Sequence, residues 1–215
     1  MAEHEQPDDQ SRVLNATKYG ADAIKVLDPI EAVRKRPGMY IGNLDCRAKL
    51  RMMGLLIDDF YDVVLSTQTD PDYVPHSFLR YHVEPKEWRV SLEWQSDKNG
   101  RQVDTSRHLD PSRMLRREAG GCEGCFIVNC LSKHFTLDAT VPGAKLQFRA
   151  ANGKTCHAEK QSSKAGKIDA TISAEFVPDT TLLGDDVPSM MVIDGYMFGR
   201  SDTHRGMVIP QETRH

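Results

Sequence analysis

No apolar run in these 215 residues approaches the ~20 residues that a bilayer-crossing helix needs. The first residues, MAEHEQPDDQSR, are acidic and polar, unlike a signal peptide. Basic excess is missing as well. Lys plus Arg number 28 against 31 Asp plus Glu, a net charge of -3, whereas a chain that holds DNA by itself carries a positive surplus. Neither direct nucleic-acid binding nor a membrane is therefore expected. Cysteine is scarce and odd in number, five in all. Without export signals, that predicts reduced thiols and a cytoplasmic protein. Internal repeats and a dividing linker are also lacking.

What is present suits one domain of sufficient length for a substantial core. Residues 1–14 read as a disordered tail, 15–206 as a single domain with an N-terminal arm over 15–27, and 207–215 as a flexible tail. Ala48 to Thr67 reads as a helix, with Leu50, Met53, Ile57, Tyr61, Val64 and Leu65 recurring at three- and four-residue spacing. Phe78–Val83 alternates weakly, and Trp88–Trp94 alternates in full, which predicts a half-buried antiparallel strand. Asn99-Gly100 and Asn152-Gly153 are hairpin-turn pairs, the second joining Leu146–Ala150 to Thr155–Glu159. Val128–Ser132 begins or continues a short helix, and Ala170–Val177 is another strand. Met190–Gly199 reads either as a last strand and turn or as an exposed apolar contact surface. The order fits an α/β (α+β) fold, a two-layer sandwich of a mixed, mostly antiparallel sheet with helices on one face.

The most informative stretch is Tyr19 to Gly42, YGADAIKVLDPIEAVRKRPGMYIG. Asp28 is a helix N-cap, Pro29 occupies the first helical position and Glu31 completes a capping box. The helix must stop before Pro37. Arg34-Lys35-Arg36 reads as its solvated face. Gly38 allows a tight turn that Met39-Tyr40-Ile41 anchors in a core. The whole string resembles the opening of the ATPase subunit of bacterial type IIA topoisomerases, DNA gyrase B and its topoisomerase IV counterpart. That resemblance implies the GHKL nucleotide-binding fold. It also implies that the arm, through Tyr19 and Ile24, crosses to a second protomer.

The resemblance extends to four motifs, each altered where chemistry occurs. The family's E-x-x-D-N-x-x-D helix supplies a general base and a magnesium-binding asparagine. Here Leu55–Asp62 lies over it, with Leu55 at the base position, Asp59 at the asparagine, and Asp58 and Asp62 matching. Leucine cannot accept a proton, so no catalytic residue is assigned. The adenine-reading D-x-G-x-G becomes Lys98–Gln102, keeping Gly100 and Arg101, and lysine cannot accept the adenine's hydrogen bond. The phosphate-wrapping lid becomes Gly120-Gly121-Cys122-Glu123-Gly124-Cys125, two residues shorter, which weakens a cradle of backbone amides. The family's ligand-facing threonine on a late strand has become Ile172. The nucleotide contacts that survive by position are Asp59, Arg101, Gly120, Gly121 and Gly124.

The expectation is a pseudo-ATPase. It would bind no cofactor and act as a regulatory module through self-association or by pairing with a type IIA topoisomerase ATPase subunit. The alternative is a divergent ATPase that binds ATP and magnesium, with Asp58 or Asp59 as a relocated base. The chain ends at His215, short of the transducer and DNA-cleavage domains that the resemblance implies, so a complete topoisomerase subunit is not expected. A third reading takes Cys122, Cys125, Cys130 and His134 as soft ligands for a metal such as zinc. Their spacing is not a standard one, so the default is no metal and buried thiols.

Overall fold

The computed structural model describes residues 27–65, 77–84, 87–96, 123–141, 144–162, 171–203 and 207–208. Its elements, in chain order, start with helices α1 (Pro29–Lys35), α2 (Gly38–Ile41) and α3 (Cys46–Leu65). Strands β1 (Ser77–Glu84) and β2 (Arg89–Ser96) follow, then helix α4 (Glu123–Cys130). Strands β3 (Ser132–Val141), β4 (Ala144–Ala151), β5 (Lys154–Ser162) and β6 (Thr171–Pro178) come next. Helices α5 (Thr180–Leu183) and α6 (Met190–Thr203) and the two-residue strand β7 (Met207–Val208) complete the set.

The seven strands form one sheet in the order β5-β4-β3-β6-β2-β1-β7. Every neighbouring pair is antiparallel except β1 with β7. This is the mixed, mostly antiparallel sheet expected from the sequence, with the helices on one face. Alternation explains the layering, because successive strand residues point to opposite faces. Val90, Leu92 and Trp94 of β2, Phe135, Leu137 and Ala139 of β3, and Ile172, Ala174 and Phe176 of β6 are buried in one core with Met53, Leu56, Ile57 and Phe60 of α3. The intervening residues form a polar outer face, where Arg89 pairs with Glu175 and Arg149 with Asp138.

Asn152 and Gly153 both adopt positive φ, 52° and 79°, as a two-residue hairpin turn of the primed type requires. Gly153 is constrained twice over. A Cβ there would lie 2.5 Å from Ile30 Cγ2, so α1 packs directly on the β4–β5 turn. Trp88 turns the chain into β2, meets Phe176 edge-on and lies under the Lys49 ammonium, 5.8 Å from its ring centroid. Lys49 is fully buried on α3 and donates to the carbonyls of Gly184 and Asp186.

Four readings of the sequence need correction. Met190–Gly199 is neither strand nor turn but the first ten residues of α6. Ile193 and Met197, one helical turn apart, are buried, while Met191, Val192 and Phe198 are exposed. The helix at Val128 ends at Cys130, and Ser132 already belongs to β3. Met39 does not anchor the turn after α1, being 73% exposed, whereas Ile41 is buried. Met207 and Val208, in the stretch read as a flexible tail, pair with Ser77 and Phe78.

The Gly153→Ala variant should lose roughly 1–3 kcal/mol of stability, from positive-φ strain and the clash with Ile30 together. Urea denaturation monitored by tryptophan fluorescence measures it.

Candidate functional site

The site is built around α4 and the helices that hold its two ends. Its N-terminal end rests on α3. Asp59 of α3 receives hydrogen bonds from the backbone N–H groups of Gly124 (3.2 Å) and Cys125 (2.6 Å). A helix N-terminus leaves such donors unpaired and carries partial positive charge, so a carboxylate there is stabilised twice. The approach is close because residue 124 is glycine. A Cβ at that position would lie 2.3 Å from the Leu55 carbonyl oxygen and 3.0 Å from Asp59 Oδ2. Leu55 itself is partly buried against the core.

Burial pushes the Asp59 carboxyl up to about 6 from its ordinary 3.8, against the lowering effect of the Cys125 and Gly124 hydrogen bonds. Its neighbour Asp58 turns the other way and pairs with Arg200 of α6. The Arg200 guanidinium also donates to the Tyr196 hydroxyl (3.0 Å) and covers that ring. The two adjacent aspartates therefore engage different helices.

The C-terminal end of α4 is held by α1. Asp28 caps α1 by accepting from Ile30 N–H (2.9 Å), and Pro29 occupies its first turn, as the sequence predicts. Arg34 then reaches across, donating to the Cys130 carbonyl (2.8 Å) and to Asp179 (2.6 Å). Arg34 is thus not part of a solvated face. Its side chain is only 25% exposed and its partner Asp179 is buried. Asp179 also accepts from the Thr181 N–H and hydroxyl and so caps α5. Burial works against its charge, but the bonds from Thr181 and Arg34 prevail and hold its pKa below 3.8. Asn129, buried on α4, donates to the Gly153 carbonyl (3.3 Å).

Of the nucleotide contacts expected from the sequence, Asp59 and Gly124 lie together, bonded to each other. Arg101, Gly120 and Gly121 lie outside the described residues. So do Lys98, the Asn99-Gly100 turn and the arm residues Tyr19 and Ile24. Ile172 faces the core. Among the proposed soft ligands, Cys125 and Cys130 are buried and in no disulfide, His134 is exposed, and Cys122 is outside the described residues. Burial pushes the Cys130 thiol up to about 12, which disfavours the thiolate that metals bind. Among the described residues no group of three His, Cys, Asp or Glu side chains is placed to hold a metal ion.

The chain is 30% identical to the B subunit of DNA topoisomerase 4 from Bacillus subtilis over 183 residues, covering 76% of this chain and 26% of that protein. It is 48% identical to the B subunit of DNA gyrase from Rickettsia bellii over 58 residues, 26% of this chain and 7% of that protein. Among solved structures it resembles the 43K ATPase domain of Thermus thermophilus gyrase B in complex with an aminocoumarin. The TM-score is 0.61 at 20% identity, covering 87% of this chain and 50% of that one. No family model matches the chain. It spans about a quarter of the length of the topoisomerase 4 proteins it matches.

The raised Asp59 pKa fixes the sign of a pH effect. The folded chain binds this proton more tightly than the unfolded one, so the contribution is full below pH 3.8 and is lost as pH rises through about 6. Stability of the native chain minus that of Asp59→Asn should therefore fall across this window and level off above it. Urea midpoints at a series of pH values give the difference.

Proposed function

We propose that this chain, a divergent relative of the N-terminal ATPase (GHKL) domain of DNA gyrase B and its topoisomerase IV counterpart, is a non-hydrolysing module. It acts through protein contacts, either with itself or with a type IIA topoisomerase ATPase subunit. One observation carries the reading. The Gly124 and Cys125 amides, part of the segment that the family resemblance assigns to the phosphates, already hold the carboxylate of Asp59.

The described residues of α3 and α4 do not fit a magnesium–triphosphate. A polyanion at α4 must displace Asp59 from its two amides and then face that same negative charge at neutral pH. Leu55, at the position the resemblance gives to the general base, has no group to take a proton from water. Asp58 and Asp59, the carboxylates nearest by sequence, are engaged by Arg200 and by the α4 amides. Neither Leu55 nor these two carboxylates is therefore left to serve as the base. The fold, from the capped α1 to the sheet, is kept, which supports a role in protein contacts.

Titration calorimetry with a non-hydrolysable ATP analogue and magnesium is expected to be silent, and ATP turnover to stay at the buffer blank. Micromolar binding would revive the divergent ATPase. The partner half of the reading is tested by pull-down and analytical ultracentrifugation with the same cell's gyrase and topoisomerase IV ATPase subunits. A monomer indifferent to both of them sinks it.

A further inference from the structure

We draw no further inference here: the strongest candidate, the exposed apolar face of helix α6 formed by Met191, Val192 and Phe198 around Gly195 and Gly199, carries none, because nothing in the structure shows what covers it.

Discussion

A carboxylate can lie between two packed helices only where something replaces the water it gives up. At Asp59 the replacement is a pair of backbone amides at the start of α4, and much of the structure depends on that contact. It draws the eight-residue α4 onto α3 at a distance that only glycine at 124 permits. At its other end, α4 is tied by Arg34 through the Cys130 carbonyl, and Arg34 is steered in turn by Asp179. A helix this short has little stability of its own in water. Its position is dictated by groups on α1, α3 and the start of α5. These connections join α1, α3, α4 and the end of β6.

That arrangement explains, on the proposed reading, how the fold can persist without hydrolysis. On the proposed reading, the exchange of an amide for a carboxylate at position 59 changes which anion satisfies the α4 donors. The chain supplies the anion itself, so the helix is held without a ligand. The core carries the rest. Trp94, Phe135, Phe148 and Phe176 fill the sheet's inner face whatever happens at α4.

Much of this is legible in the sequence where the signal is local. Asp28-Pro29 announces α1, the alternation of Trp88–Trp94 announces β2, and Asn152-Gly153 announces its hairpin. Strand β3 also leaves a signal, since Phe135, Leu137, Ala139 and Val141 alternate with Thr136, Asp138 and Thr140. A reading that ends at Ser132 misses it, because the period changes from helical to extended immediately after Cys130 with no glycine or proline between. Helix α6 is harder. Met-Met-Val-Ile and Tyr-Met-Phe favour strands, Gly195 and Gly199 disfavour helices, and among its described side chains only Ile193 and Met197 are fully buried. At the site, Asp59 stands out in the sequence, but its partners do not, because Gly124 and Cys125 lie 65 and 66 residues away. Arg34 and Asp179, 145 residues apart, carry no mutual signal either.

The buried ammonium of Lys49 has a consequence of its own. It sits under the segment that leads from α5 into α6, bonded to the carbonyls of Gly184 and Asp186 and stacked over Trp88. Burial lowers its pKa, against the raising effect of Asp185 and Asp186. No acylating reagent or enzyme can reach that amine while the segment is closed. Modification of Lys49 and local opening of residues 184–186 are therefore one event, and a lysine that looks like surface in the sequence is a reporter of the fold's breathing.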